Sequence, residues 1–165
     1  MQYPLISEYV RAIQDASNNL DKLAHLVPVL DDHGEPYRSS GAFAVVFKMK
    51  DEQTGKCYAL KCFTEEQEGR AEAYRQIADE LEFVDSSYIT SVKYLDKEIF
   101  VDSSCEEDEF PVLLMDWIDG ETMETYIVLI VFSNVTFHCF AINPIHQKDR
   151  KLVFLTTAIY EDFFF

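Results

Sequence analysis

The chain has 165 residues, of which 48% are hydrophobic, and its net charge is −16. This composition is typical of one globular domain with a hydrophobic core, and it excludes an intrinsically disordered chain. The negative charge argues against nucleic acid or an anionic membrane as a partner, because a basic surface is needed to bind either of them. All of the excess acidity lies in residues 1–127, since residues 128–165 contain three basic and three acidic residues.

Residues 1–30 predict a helical N-terminal extension. Apolar residues recur at helical spacing between Leu5 and Leu26, which predicts one amphipathic helix, or two, that ends before Pro28. The sequence does not start with a basic segment followed by a long apolar run, so we expect no signal peptide and a cytoplasmic protein. The four cysteines lack CxxC and zinc-finger spacing, which indicates reduced thiols that fill the core.

A β-hairpin and a helix are predicted next. The segments "AFAVVFKMK" and "CYALKCF" predict two strands connected by the polar turn "DEQTGK", after a loop at "DDHGEPYR". Residues 64–84 predict a helix with Thr64 as its N-cap, because acidic residues in the first turns favour the positive end of the helix dipole. The expected apolar face of this helix consists of Tyr74, Ile77, Ala78 and Leu81.

Further strands are predicted after this helix. The segment "SSYITSVKYLDKEIFVD" favours one or two strands, "SSCEEDE" an acidic surface loop, and "FPVLLMDWI" a buried strand. Asp119 and Gly120 predict a turn, and "ETMETYI" predicts the start of another helix. The predicted order up to Ile127 is therefore strand, hairpin, helix, strands, a further buried strand, turn and helix.

Three motifs in this order resemble parts of the N-terminal lobe of a protein kinase, of the bacterial Ser/Thr type. In the first, "SSGAFAVV" resembles the glycine-rich loop G-x-G-x-x-G-x-V, with Ser39, Gly41 and Ala44 at the glycine positions. Phe43 and Val46 also fit the pattern. Small residues allow backbone N–H groups to approach phosphates, although an ordinary tight hairpin has the same pattern.

The second motif, "YALK", resembles V-A-I-K, with Ala59 and Lys61 at the diagnostic positions. The resemblance implies that Lys61 holds the α- and β-phosphates of ATP and pairs with a glutamate of the following helix. Two glutamates remain open as that partner, because the motif-like run "RAEAYRQI" favours Glu72 whereas helical phase favours Glu80. The alternative interpretation is an edge-strand lysine with a solvated tip, and two solvated helix charges.

The third motif, "VLLMDWIDGETMETYI", resembles the last strand of the lobe, the hinge and the start of the first C-lobe helix. The resemblance implies that Met115 is the gatekeeper, and that Asp116, Trp117 and Ile118 form the hinge whose backbone meets an adenine edge. A buried strand that ends in a turn is the alternative. The expected fold is therefore α+β: a kinase-like N-lobe with a mostly antiparallel sheet and one main helix, a helical extension and a short β-prone tail.

The catalytic motifs of the family are not found in the sequence. Neither the catalytic loop H-R-D-x-x-x-x-N nor the metal-binding motif D-F-G is present, and Asp162-Phe163 is followed by Phe164 instead of glycine. We therefore expect no catalytic and no metal-binding residue. The resemblance implies an ancestral domain that used ATP and Mg²⁺ to transfer a phosphoryl group to Ser or Thr, and we expect the binding of both cofactors by this chain to be weak or absent.

The expected organisation is a helical extension over residues 1–30, a kinase-like lobe, hinge and helix start over 31–127, and an unrelated apolar tail over 128–165. Three interpretations of the tail remain open: a sequence joined by frameshift or insertion, strands that cap the lobe, or a membrane segment at 126–142. Asn134 and His138 interrupt that last segment, and its β-branched residues favour strands.

The leading functional hypothesis is a truncated and inactive protein-kinase-like domain. The alternative is a non-catalytic, pseudokinase-like binding or adaptor module, and a chain without function is a third possibility. The exposed face of the lobe and the apolar tail are expected to promote self-association or the binding of a protein partner.

Overall fold

The computed structural model describes residues 2–82 and 91–120, and their secondary structure is α+β, as the sequence predicts. Among these residues, those up to Trp117 belong to one compact unit, and Ile118 to Gly120 belong to another. The elements in chain order are α1 (Ile6–Gln14), α2 (Ala16–Asn19), β1 (Leu26–Pro28), β2 (Arg38–Ser40), β3 (Ala44–Asp51), β4 (Cys57–Phe63), α3 (Arg70–Glu82), β5 (Val92–Phe100) and β6 (Glu109–Asp116).

The strands form one curled antiparallel sheet in the order β1-β3-β4-β6-β5, and β2 also pairs with β3. The predicted hairpin is confirmed, because β3 and β4 pair from Lys50↔Cys57 to Ala44↔Phe63 around the turn that joins them. On its other side, β4 pairs with β6. The centre of the sheet is therefore β4, which is hydrogen-bonded along both of its edges.

Each face of the sheet contributes to its own hydrophobic core, because successive side chains of a strand point to opposite faces. The main core combines α1 with side chains from the central strands, including Phe47, Leu60 and Val112. The second core lies on the other face, against Tyr74 and Leu81 of α3. Its buried members are Ala44, Ala59, Phe63, Val92, Leu113 and Met115.

The N-terminal segment is helical over a shorter range than the sequence predicts. The helices end at Asn19, and Pro28 ends a strand instead of a helix. Leu20, Leu23 and Leu26 are buried in the main core, as their spacing suggested. However, their backbone bonds differ, since the N–H of Leu23 donates to the carboxylate of Glu98. The carboxylate of Glu98 on β5 thus takes the place of a helical acceptor for the N–H of Leu23.

Helix α3 begins at Arg70, so the prediction of Thr64 as its N-cap is wrong. The N–H of Thr64 donates to the carbonyl of Phe43, which holds this residue beside the β2–β3 turn. Gly69 has a φ of 76°, a left-handed conformation that separates residues 64–68 from the helix. The predicted apolar face is correct for Tyr74 and Leu81, which pack against the second core, but Ile77 is 38% exposed.

Several predictions concern segments beyond the described residues. They include the helix start after Gly120, the tail of residues 128–165, and the candidate membrane segment at 126–142 with Asn134 and His138. Within the part of the chain that is described, no helix is long and apolar enough to cross a membrane.

The turn between β3 and β4 depends on Asp51 and Gly55. The carboxylate of Asp51 accepts the hydroxyl of Thr54 and the N–H of Gln53, both at 2.8 Å. These bonds lower the pKa of Asp51, the hydroxyl of Thr54 first among them, because they stabilise the charged form. Gly55 closes the turn with a φ of 74°.

We predict that Gly55→Ala destabilises the protein by about 1–2 kcal/mol, because an alanine in the left-handed region is strained. A Cβ at this position meets no atom within 4 Å, so the loss reflects the backbone alone. Gly55→Asn should lose less, since asparagine adopts this region more readily. Urea denaturation of the three proteins measures the effect. An equal loss in both variants would contradict this explanation.

A buried carboxylate, that of Glu98, links β5 to the N-terminal segment. Its side chain is 2% exposed, and Oε1 accepts the N–H of Leu23 at 2.7 Å. Among the described residues, Oε2 has no hydrogen-bond partner. Burial raises the pKa of Glu98, and the backbone N–H groups of Leu23 and Lys22 oppose this shift only in part. Asp21 contributes a smaller increase.

We predict that Glu98→Gln makes the protein more stable than the wild type at pH 7. The folded pKa of Glu98 is raised. Above the unfolded pKa of about 4.3 the folded carboxyl therefore binds more protons than the unfolded one, and wild-type stability falls as pH rises through the folded pKa. The glutamine does not titrate, and its Oε1 still accepts the N–H of Leu23.

Denaturation of both proteins between pH 4 and pH 8 tests this prediction. The advantage of the variant should increase through that window, while other titrating groups contribute equally to both proteins. A difference that is independent of pH, or that decreases as pH rises, would show that Glu98 is not destabilised by ionisation.

Candidate functional site

Lys61 is a charged residue in the centre of the sheet. Strand alternation places Ala59, Lys61 and Phe63 on the face of β4 that carries the second core. The whole of Lys61 is 2% exposed. A buried ammonium costs several kcal/mol unless other groups compensate its charge. The interpretation of Lys61 as an edge-strand lysine with a solvated tip is therefore wrong.

Aromatic side chains surround the ammonium of Lys61. Its Nζ donates a hydrogen bond to the hydroxyl of Tyr74 at 3.2 Å. The same atom lies 5.6 Å from the ring centroid of Tyr74 and 5.8 Å from that of Phe63. Both distances are within the range in which a ring face attracts a cation. The two rings contact each other, with their centroids 5.7 Å apart.

The turn between β2 and β3 corresponds to the predicted phosphate loop. Ser39 lies opposite Val46, and Val46 lies opposite Lys61, so the three residues form one row across the strands. Gly41 begins the turn, and its N–H donates to the carbonyl of Ala44 at 2.9 Å. One of the N–H groups that the resemblance assigns to phosphate is thus used within the turn itself.

Phe43 and Ala44 occupy the far end of this turn. Phe43 is half-buried, and its carbonyl accepts the N–H of Thr64. Ala44 is buried in the second core and lies opposite Phe63. The loop is therefore tied by backbone hydrogen bonds to the end of β4, close to Lys61.

The predicted gatekeeper and the start of the hinge lie on β6. Met115 is buried in the second core and lies opposite Ala59. The carboxylate of Asp116 forms an ion pair with Lys56, in which Nζ and Oδ1 are 2.7 Å apart. The N–H of Trp117 donates to the carbonyl of Cys57.

The ring of Trp117 has a cation and an aromatic neighbour. Nζ of Lys48 lies 4.6 Å from the centroid of the Trp117 ring, and the ring of Tyr37 meets it edge-on at 5.8 Å. Ile118 is exposed and belongs to the other compact unit, so the structure does not place it in this site.

Both candidate carboxylate partners of Lys61 are exposed on α3. Glu72 contacts its own helix, where it accepts a hydrogen bond from Gln76 at 3.1 Å and pairs with Arg75 at 3.7 Å. Pairing of Lys61 with Glu72 or Glu80 remains a prediction. Sequence reasoning missed Tyr74 as the polar contact, although the signal was available: it is the one residue with a hydroxyl on the predicted apolar face.

The second-core face thus brings together Ala44, Val46, Ala59, Lys61 and Met115. Ser39 lies on β2, and Gly41 and Phe43 lie in the turn from β2 to β3. The carboxylate of Asp116 pairs with Lys56. In the described part of the chain, no group of three or more His, Cys, Asp or Glu side chains is arranged to hold a metal ion. Neither the models of known protein families nor the curated proteins gave a match to this sequence.

We predict that Lys61 and Tyr74 are energetically coupled. The single variants Lys61→Met and Tyr74→Phe and the double variant form a cycle that isolates their interaction from all other contacts of either residue. A hydrogen bond from a buried charge should give a coupling of about 1–3 kcal/mol in urea denaturation.

The matched control is the cycle of Lys56→Met and Tyr58→Phe. Lys56 also lies over a tyrosine ring, at 5.0 Å, but it is far more exposed. Because the ring is retained and the hydroxyl is not the contact, this coupling should be near zero. Additivity within about 0.5 kcal/mol for the Lys61 cycle would refute the proposed interaction.

Proposed function

We propose that the sheet with α3 is a nucleotide-binding lobe of the protein-kinase type, in which Lys61 holds the phosphates of ATP. The single observation that carries this proposal is the burial of Lys61 in the second core. Stability alone favours an apolar residue at such a position, since replacing buried charges by well-packed hydrophobic side chains is often neutral or stabilising. Costly buried charges of this kind are concentrated at functional sites.

The surroundings of Lys61 support a nucleotide as the ligand. Val46, Ala59 and Met115 supply apolar side chains on the same face, and such side chains suit the flat face of a purine that displaces the groups now packed on them. The β2–β3 turn contains Gly41 and Ala42, and the bond from the N–H of Thr64 to the carbonyl of Phe43 holds it beside the end of β4, the strand that carries Lys61. These relationships agree with the three sequence motifs.

Three features argue for weak binding. Lys61 is 2% exposed, so a phosphate must displace part of its cover to reach Nζ. The N–H of Gly41 is already used in the turn. The net charge of −16 also repels a polyanion. No Mg²⁺ ligand is assigned among the described residues, and phosphoryl transfer is not part of the proposal, because the sequence contains neither catalytic motif.

We predict a Kd for ATP on the order of 1 mM, which corresponds to about −4 kcal/mol. At a ligand concentration ten times the Kd, binding should stabilise the folded protein by about 1.4 kcal/mol. A thermal-shift titration with ATP and Mg²⁺ should therefore raise the melting temperature of the wild type. The ligand-induced shift should disappear in both Lys61→Ala and Lys61→Met.

Lys93→Ala is the matched control, because it removes an exposed lysine from β5 and should leave the shift unchanged. An identical shift in the wild type and in both Lys61 variants would refute the role of Lys61. The absence of any shift would refute nucleotide binding and favour the non-catalytic binding module. Submicromolar binding would contradict the argument for weak affinity.

A further inference from the structure

We propose that helix α1 positions Lys61, through a hydrogen bond from Tyr9 to the end of β4. The proposal has a structural part, that the Tyr9 hydroxyl determines the setting of the ammonium. Its regulatory consequence, that the N-terminal helix controls phosphate binding, rests on the proposed function. The two parts are tested by different measurements.

The hydroxyl of Tyr9 compensates for a missing donor in the sheet. It donates to the carbonyl of Phe63 at 2.8 Å, between residues 54 positions apart. The pairing of β4 with β6 ends at Cys62↔Val112, so the next residue in register opposite Phe63 is Pro111. Proline has no N–H and cannot donate to the Phe63 carbonyl. Tyr9 supplies the donor that the neighbouring strand lacks.

Phe63 transmits this contact to the site. It lies two residues beyond Lys61 on the same face of β4, and its ring contacts the ring of Tyr74. Tyr74 in turn accepts the hydrogen bond from Lys61. The backbone of Phe63 is therefore held from the α1 side of the sheet, whereas its ring forms part of the surroundings of the ammonium on the other side.

The N-terminal segment also contacts the first residue of α3. The guanidinium carbon of Arg70 lies 4.3 Å from the ring centroid of Phe63 and 5.7 Å from that of Tyr3. Tyr3 packs on Phe110, with the ring centroids 5.9 Å apart. The segment that contains Tyr3 and Tyr9 thus touches both elements that hold Lys61, namely the end of β4 and the start of α3.

Packing alone does not account for the hydroxyl of Tyr9. The residue is fully buried, and its ring lies 6.4 Å from that of Phe110 in an edge-on arrangement. A phenylalanine would provide the same ring and the same apolar area. A tyrosine hydroxyl is protonated at neutral pH, and burial raises the pKa of Tyr9 further above its ordinary value, so the hydroxyl is available as a donor. The variant Tyr9→Phe therefore removes the proposed link while it retains the packing.

The test uses the full chain labelled with ¹³C at the ε-carbon of lysine. The Lys61 resonance is identified by its loss in Lys61→Arg. Its chemical shift and its titration midpoint are then compared in the wild type, Tyr9→Phe and Tyr58→Phe. Tyr58→Phe is the matched control, because it removes a hydroxyl from a half-buried tyrosine of β4 that packs on the main core.

We expect both properties of the Lys61 resonance to change in Tyr9→Phe and to remain near the wild-type values in Tyr58→Phe. A folded Tyr9→Phe protein with an unchanged Lys61 resonance would overturn the proposal, even if the wild type binds ATP. Conversely, failure of the wild type to bind ATP would refute the proposed function and leave this measurement valid.

If Tyr9→Phe does not fold in buffer, the three proteins are compared in trimethylamine N-oxide, an osmolyte that favours the folded state. The Lys61 resonance should again differ from the wild type only in Tyr9→Phe, and an unchanged resonance would overturn the proposal. Where ATP binds to the wild type, Tyr9→Phe should also weaken that binding several-fold.

Discussion

Strand β4 is enclosed on every side, and this constraint determines the environment of Lys61. Its backbone is paired with β3 along one edge and with β6 along the other. One face packs in the main core with α1, and the other packs in the second core against α3. The side chains from Ala59 to Phe63 are all buried, so a charge among them must be compensated by groups of the protein or by a ligand. The contacts that compensate Lys61 include the hydroxyl of Tyr74 and the ring of Phe63.

The sequence predicts the hairpin well because its determinants are local. Alternating apolar residues define β3 and β4, and Asp51 and Gly55 are turn residues whose preferences do not depend on the rest of the chain. The N-terminal segment is predicted less well after Asn19, because Glu98 of β5 accepts the N–H groups of Asp21 and Leu23. The buried carboxylate of Glu98 lies 75 residues away from Leu23, and no pattern in residues 5–26 indicates it. The predicted and observed starts of α3 also differ, because the left-handed Gly69 separates residues 64–68 from the helix.

The site was predicted in part for the same reason. Period-two alternation correctly places Ala59 and Lys61 on one face, and pairing of neighbouring strands adds Val46 and Met115 to it. The partner of Lys61 depends on how α3 is rotated about its own axis, because that rotation decides which side chain of the helix faces the sheet. Sequence spacing does not determine this rotation. The sequence offers Glu72 and Glu80 as carboxylate partners, and both are exposed, whereas the α3 residue that accepts a hydrogen bond from the ammonium is Tyr74. A tyrosine on the apolar face of a helix therefore brings a hydroxyl into the core, where it can accept a hydrogen bond from a buried lysine.

Helix α1 packs on the sheet and also supplies a hydrogen-bond donor that β6 lacks at the end of β4, next to the site. Pro111 leaves the carbonyl at the end of β4 without a donor from β6, and an unsatisfied buried carbonyl costs about 1–3 kcal/mol. The hydroxyl of Tyr9 donates a hydrogen bond to this carbonyl from the face of the sheet that carries the main core. The residue that receives this bond, Phe63, is also the residue whose ring borders Lys61. The requirement to satisfy one backbone carbonyl thus makes the geometry around the ammonium depend on a helix that makes no described polar contact with it.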